Sequence, residues 1–289
     1  MLTRQYQCMG RGTYNDIPRH VNAAIRILKL RLLDRPLSIS RPFDRLAVES
    51  VLYQIFLVTM GSWSDYSALG YQFDAGFWLR AENLLAQSML FPSTSISTNS
   101  PVLGVPMDLF KLVLSIRRLW ESPFRHDEET LDELRTELDE WERTIIVSGP
   151  PSPDDQSAPL DSHYELYKDA TALYVLVSSL LVQELCEGHT DEIGIGIGPP
   201  EPVPPDCWQV EKAAEILRRH EHDVDWARCY IGNWPVYTLG FFMSSPDDIQ
   251  LVRDDMRRRW DSMRFSQLER FRNELEASWI QREGLSQEA

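Results

Sequence analysis

Several clusters in this sequence have residue types and spacings that chemistry could use. His220-Glu221-His222-Asp223 sets imidazoles beside carboxylates, the raw material of a metal site. Metal-binding histidine pairs on a helix stand at i and i+4, whereas positions two apart point to different faces. The spacing therefore predicts a solvated helix end, where imidazoles suit the negative pole of the helix dipole. Cys186-x2-His189 and Cys207-x12-His220 have a superficial zinc-finger rhythm, but the intervening stretch is proline-rich and the ligand order is wrong for a compact finger. Gly194-Ile195-Gly196-Ile197-Gly198-Pro199 has neither a preceding strand nor a following helix, so it is not a dinucleotide fingerprint. No metal and no cofactor is expected.

The pairs Asp247-Asp248 and Asp254-Asp255 resemble the metal-binding clusters of diphosphate enzymes only in composition. The first pair stands where helix-capping acids belong; the second alternates with Arg253 and with Arg257, Arg258 and Arg259, a pattern that predicts surface ion pairs. His126-Asp127 follows Trp120 and Phe124 and has the makings of an acid/base pair beside an apolar pocket, although Asp127 is equally suited to starting a helix. No serine or cysteine lies in a recognisable nucleophile motif. Trp63, Trp78, Trp120 and Trp234 fall in or beside apolar helical stretches, where they could line a cavity for a hydrophobic small molecule or simply pack a core.

The elements that must position these residues are helical. Val21, Ala24, Ile25, Leu28 and Leu32 trace one helix stripe. A second helix is expected from about residue 44 to 60, and a third carries Phe77, Trp78, Ala81, Leu84, Leu85 and Met89. Pro106 opens a fourth, with Phe110, Val113, Leu114, Leu119 and Trp120 apolar. Residues 126–147 form an acidic amphipathic helix with Leu131, Leu134, Leu138, Trp141 and Ile145 as its stripe. Residues 161–187 become apolar nearly all round after Ala170, as a central buried helix would. Another helix spans 206–220, Ser245-Pro246-Asp247-Asp248 is a strong helix start, and a last helix runs over 266–281. Residues 148–159 and 188–205 hold nine of the 18 prolines and read as flexible linkers or surface loops. The fold expected is all-α: a single domain of about ten helices, a multi-helix bundle with two proline-rich loops.

Composition narrows the function class. With 43% apolar and 25% charged residues, the chain is an ordinary globular sequence. Residues 47–60 and 171–186 are the most apolar stretches, and both fall short of the roughly 20 apolar residues of a membrane span. The first residues carry no apolar run of signal-peptide type, and four scattered cysteines are too few for a disulfide scaffold, so nucleus or cytoplasm is the expected compartment. The net charge of −15 argues against a generic nucleic-acid coat. It is unevenly spread: residues 1–45 sum to +6 and residues 121–201 to −16. The basic arm could contact nucleic acid or the chain's own acidic middle.

Three segments carry a family resemblance. Asn99-Ser100-Pro101-Val102-Leu103-Gly104-Val105-Pro106 leading into Leu109-Phe110 resembles part of the fungal-specific transcription factor domain. So do Tyr167-Lys168-Asp169-Ala170 with Leu173-Tyr174, and Asn233-Trp234-Pro235-Val236-Tyr237-Thr238-Leu239-Gly240 followed by a charged helix and the late Trp279. The resemblance spans roughly residues 45–279. Its motif residues Leu103, Gly104, Trp234, Pro235 and Gly240 read as structural. Pro235 lacks a donor and biases Trp234 away from helix, so a kink or break is expected there, with the indole filling the space.

The resemblance implies the regulatory region of a fungal zinc-cluster transcription factor, with residues 1–44 as a basic arm and first helix, 45–283 as the regulatory domain and 284–289 as a tail. Such regulators carry six closely spaced cysteines near the N-terminus, and this sequence has only Cys8 there. The expected role is control of fungal gene expression, with secondary metabolism a candidate setting. It would work through an apolar small-molecule effector or through a partner, as a homodimer or paired with a DNA-binding regulator. An alternative is that the sequence represents part of a longer regulator. Another is that the fold has been recruited as a metal-free enzyme or carrier for an apolar metabolite. His126, Asp127, Tyr174 and Tyr237 would then be the acid/base candidates for cyclisation or dehydration, and Trp63, Trp78, Trp120, Tyr174 and Trp234 the pocket lining.

Overall fold

The computed structural model describes residues 17–33, 41–61, 63, 75–86, 100, 102–120, 122, 128–147, 162–187 and 198–288. His126, Asp127, Phe124, Met89, His189, Cys8, most of the glycine run at 194–197 and the proline-rich stretch 148–159 lie outside them. Among the described residues the only regular structure is helical, and the fold is all-α. Eleven α-helices follow one another among the described residues: α1 Ile17–Leu28, α2 Pro42–Met60, α3 Ala75–Ala86, α4 Met107–Trp120, α5 Glu128–Glu142, α6 Ser162–Glu187, α7 Trp208–Arg219, α8 Val224–Arg228, α9 Asn233–Phe242, α10 Pro246–Met263 and α11 Ser266–Glu288. α1 and α5 each continue into a wider π turn, Lys29–Leu33 and Arg143–Val147, and the 3₁₀ turn Tyr230–Gly232 precedes α9.

The helices gather into two compact units, Met1–Gly61 with Asp65–Leu114, and Ser62–Ser64 with Ser115–Ala289. In the first, α1 packs on α2 through the expected stripe, with Val21, Ile25 and Leu28 buried. α2 buries Val48, Leu52, Ile55 and Phe56 completely, and Phe56 meets Phe110 edge to face at 4.8 Å. Pro106 stands just before α4 instead of inside its first turn, and its carbonyl accepts the Leu109 N–H at 3.1 Å. Gly104 turns the chain into that start with φ of 61°, a left-handed conformation that glycine adopts without a Cβ penalty. Leu103 beside it is fully buried.

Glu49 holds the first unit's polar interior. It is wholly buried on α2 and accepts from Arg45 Nε at 2.7 Å, Ser100 Oγ at 2.9 Å and the Val102 N–H at 3.1 Å, while Arg45 also reaches the Leu85 carbonyl at 3.2 Å. Burial pushes the Glu49 carboxyl up, and these bonds only partly oppose it.

In the second unit α6 is the central helix, with α5, α7 and α9 packed on it. By length and composition Glu165–Glu187 suffices to cross a membrane, where the sequence alone predicts an apolar stretch too short to do so; 78% of its most apolar window is buried inside the protein. α9 is buried at every position, and α10 and α11 pack against it. Gly240 permits the closest approach: a Cβ there would stand 2.7 Å from Leu275 Cδ2 and 3.2 Å from Val252 Cγ1. α10 begins as its sequence predicts, Ser245 Oγ accepting the Asp248 N–H at 3.1 Å with Pro246 in the first turn. α11 runs one to two turns further than its apolar stripe implied.

Glu49→Ala is expected to cost about 3–5 kcal/mol, because it strands buried donors and an arginine chosen for that carboxylate. Glu49→Gln, which keeps the size and one acceptor oxygen, costs less. Urea unfolding of the full chain checks the order, and equal midpoints for wild type and Glu49→Ala would contradict it.

Candidate functional site

His220 ends α7 and was expected in water; it is 6% exposed. The reason lies in three other elements. Its Nε2 stands 2.7 Å from Asp169 Oδ2 of α6 and its Nδ1 3.1 Å from Asp223 Oδ2, the residue that caps α8. Its ring lies parallel to the Trp226 indole with centroids 4.4 Å apart. Arg219 adds two bonds to Asp169, at 3.0 and 2.9 Å. Burial pulls the His220 pKa down, but the hydrogen bonds and charges of the two carboxylates outweigh it, and the net shift is upward. The imidazolium, which donates from both nitrogens, is the form this geometry favours. Glu221 and His222 are exposed.

The network continues through Trp226, whose Nε1–H donates to Asp255 Oδ1 at 2.9 Å. Asp255 was expected at the surface. It is wholly buried and also accepts from Arg258 at 3.0 Å and from Arg259 Nε at 2.5 Å. Asp254 does form the expected surface pair, with Arg257 at 2.7 Å. Arg259, itself 0% exposed, donates to the Cys229 carbonyl at 2.7 Å and to Asn233 Oδ1 at 3.2 Å, and its guanidinium lies 4.8 Å from the Trp226 ring. Arg258 donates to the carbonyls of His220 and Glu221, satisfying the exposed end of α7. Asp248 takes Arg218 at 2.9 Å as well as Ser245. Both ring nitrogens of His220 are committed to carboxylates, so the cluster stores charge in the core instead of presenting a general base.

The aromatic candidates form a second cluster. Tyr174 of α6 stacks on Trp234 at 5.3 Å, both 0% exposed. Trp63 meets Trp120 edge on at 5.3 Å, under the Arg117 guanidinium at 4.3 Å. Trp63 donates its N–H to the Tyr237 hydroxyl and its Nε1–H to Thr238 Oγ1, each at 3.2 Å. The Tyr237 hydroxyl donates to Glu274, and its ring lies flat on Phe271 at 3.9 Å. Burial and then the Glu274 charge raise the Tyr237 pKa well above its usual 10. Trp78 belongs to the first unit, where it is 5% exposed. Trp234-Pro235 does not kink a helix. It lies in the first turn of α9, where a backbone N–H has no intrahelical partner to lose.

A half-open recess of about 200 Å³ lies among α5, α6 and the start of α7, bordered by Arg135, Glu142, Ser179, Cys186 and Gln209. Burial pushes the Cys186 thiol and the Glu142 carboxyl up. Gln209 spends its amide on Ser179 Oγ at 3.2 Å and Gln183 Oε1 at 3.4 Å. The signal missed in the sequence is the run Ser179 and Gln183, one turn apart on an otherwise apolar helix. Cys207 donates to Gln209 Oε1 at 2.9 Å. Among the described residues no group of three or more histidine, cysteine or acidic side chains is arranged to hold a metal ion.

The proline-rich stretch 188–205 was expected to be a flexible linker or a surface loop; its described part, residues 198–205, is a loop pinned to the protein. Trp120 Nε1 donates to the Gly198 carbonyl at 3.2 Å, Val203 N–H to the Phe242 carbonyl at 3.0 Å and Ser244 Oγ to the Val203 carbonyl at 2.6 Å. The Glu201 N–H donates to Glu184 at 3.1 Å. Burial, together with the charges of Glu201 and Glu187, lifts the Glu184 pKa to about 8 against the Glu201 N–H bond and the charge of Arg282.

Comparison with family models, with curated proteins and with solved structures finds no match. Function is therefore read from geometry and from the sequence resemblance.

Two pH effects follow. His220 binds its proton more tightly folded than unfolded, so its stabilisation is complete below pH 6.5 and is lost as pH rises through the raised value. His220→Gln should flatten that limb in urea unfolding from pH 6 upward, and curves parallel to wild type would refute the assignment. Glu184 likewise holds a proton that the unfolded chain releases near 4.5, and its contribution fades as pH climbs to about 8. Glu184→Gln should lose less stability than wild type between pH 5 and 9, by the same measurement.

Proposed function

We propose that this chain is a regulator-type helical domain that influences gene expression by binding an apolar effector or a protein partner. Its 289 residues contain four cysteines and no six-cysteine cluster, so contact with DNA is assigned to another subunit or another stretch of polypeptide. Nucleus or cytoplasm is the compartment this role requires. The observation that carries the reading is the meeting of two of its three resembling segments, 167–174 and 233–240 with Trp279, in the second unit; the third, 99–110, belongs to the first unit. Tyr174 of the 167–174 segment stacks on Trp234 of the 233–240 segment, and Trp279 Nε1 donates to the Gly240 carbonyl at 2.9 Å. Residues that are scattered in sequence and resemble those of a regulatory domain would be expected to meet in this way if they define its core.

The alternative, an enzyme or carrier for an apolar metabolite, draws less support. Tyr237 would have to release a proton that burial and Glu274 hold, and Tyr174 is shut inside a ring stack.

Deleting the gene in the organism that encodes the chain tests the reading. A changed set of transcripts, together with association of the full chain with a DNA-binding transcriptional regulator, is the expected result. Unchanged transcripts with no such association would overturn it, and altered product distributions from pathway intermediates incubated with the pure protein would favour the enzyme.

A further inference from the structure

Residues 199–205, Pro199-Pro200-Glu201-Pro202-Val203-Pro204-Pro205, cross the surface of the second unit without helix or strand. Each proline fixes its own φ near −65°. Pro199, Glu201, Val203 and Pro204 each precede a proline, which drives them to extended ψ. Stereochemistry thus favours a polyproline II helix, a three-sided prism with three residues per turn, over residues 199–204, and a turn closed by the Cys207 N–H on the Pro204 carbonyl at 3.1 Å begins at Pro205.

Exposure follows that period. Pro200 and Val203, three apart, form the inward edge: Pro200 is buried, and Val203 is half-buried and bonded on both sides to the 242–244 turn. Pro199, Pro202 and Pro205 form a second edge, and Glu201 and Pro204 a third, and all five are exposed. The two dipeptides Glu201-Pro202 and Pro204-Pro205 therefore face outward, separated by a spacer, Val203, that is clamped to the protein. Grooves that take polyproline II segments bind two such dipeptides between aromatic rings and leave the spacer edge outside. The edge such a groove would leave outside is the one this fold occupies. Because the segment is pinned at Gly198, Glu201 and Val203, docking would spend little conformational entropy.

We propose that residues 199–205 are a docking site for a partner domain with an aromatic-lined polyproline groove of the SH3 type. Charge narrows the partner further. Glu201 on the segment and Asp206 directly after it are exposed and the chain carries a net −15, so the groove it fits is flanked by lysine or arginine.

The full chain is immobilised and titrated with a panel of purified SH3 domains, some with basic and some with acidic groove flanks, and with WW domains as a second arm. Saturable binding by SH3 domains with basic flanks, displaced by a synthetic peptide of residues 198–206, is the expected result. Pro202→Ala and Pro205→Ala should each weaken it about tenfold, the loss of one anchor in a groove, whereas Val203→Ala stays within about twofold. Unchanged urea midpoints of the two proline variants show that the surface, not the fold, was altered. Absence of binding by every SH3 domain, binding by WW domains alone, or a loss at Val203→Ala equal to that at Pro202→Ala would overturn the proposal.

Discussion

An ion pair one turn long and wholly removed from water governs the second unit. Asp255 and Arg259 both lie on α10, so the helix itself sets their spacing. Burying two charges costs several kcal/mol each, and their mutual attraction offsets this only if their remaining lone pairs and protons are also satisfied. The surrounding structure does most of this, although Arg259 Nη2 is left buried without a hydrogen-bond partner among the described residues. The Trp226 indole and Arg258 complete Asp255, while the Cys229 carbonyl and Asn233 take up Arg259. Apart from Arg258, which is on α10 itself, these partners lie on other stretches of chain: Trp226 in α8, Cys229 just before the 3₁₀ turn that precedes α9, and Asn233 at the first residue of α9. The pair thus converts an electrostatic requirement into positions for three chain segments.

From Trp226 the same requirement passes outward. Its indole face carries His220, and His220 in turn needs Asp169 on the central helix and Asp223 at the cap of α8. A short helix such as Val224–Arg228 has too few residues to be stable alone. It persists because its capping carboxylate is shared with an imidazolium and because its tryptophan is sandwiched between that ring and a guanidinium. The aromatic residues are therefore as much hydrogen-bond donors as apolar filling. The indoles of Trp63, Trp120, Trp226 and Trp279 all place their N–H on a protein acceptor.

Helix positions were legible in the sequence because they depend on local signals. The 3.6-residue stripe at Val21, Ile25 and Leu28 and the Ser245-Pro246 start act within one or two turns. The buried charges were not legible, because burial of an acid is decided by what faces it. Asp254 and Asp255 are adjacent and identical in type, yet one pairs with Arg257 in water and the other lies in the core, since successive residues are 100° apart and only one faces Trp226. His220 was misplaced for the same reason: Asp169 is 51 residues away, and no local pattern joins them. Trp234-Pro235 misled differently. A proline forbids a helix interior but suits a first turn, and where α9 begins is fixed by the 3₁₀ turn ahead of it and by Arg259 holding Asn233. Of the candidate site, the aromatic residues of the second unit were foreseen as buried, but their mutual stacking and the polar network beside them were not.

The acidic surplus also has a different meaning once its carboxylates are sorted by place. Glu49, Asp169, Asp248 and Asp255 are buried and hold arginines, a histidine or backbone donors, so they add little to the field outside. The external field comes instead from groups such as Glu128, Glu129, Asp132, Glu133, Glu137, Asp139 and Glu140 on the solvent side of α5, together with Glu201 and Asp206 around the proline-rich segment. Charges exposed in this way act over a Debye length of about 8 Å at physiological salt, repelling phosphate and drawing in basic surfaces. The formal net charge therefore understates how acidic the solvent side of α5 is, and any partner that approaches it must bring cations of its own.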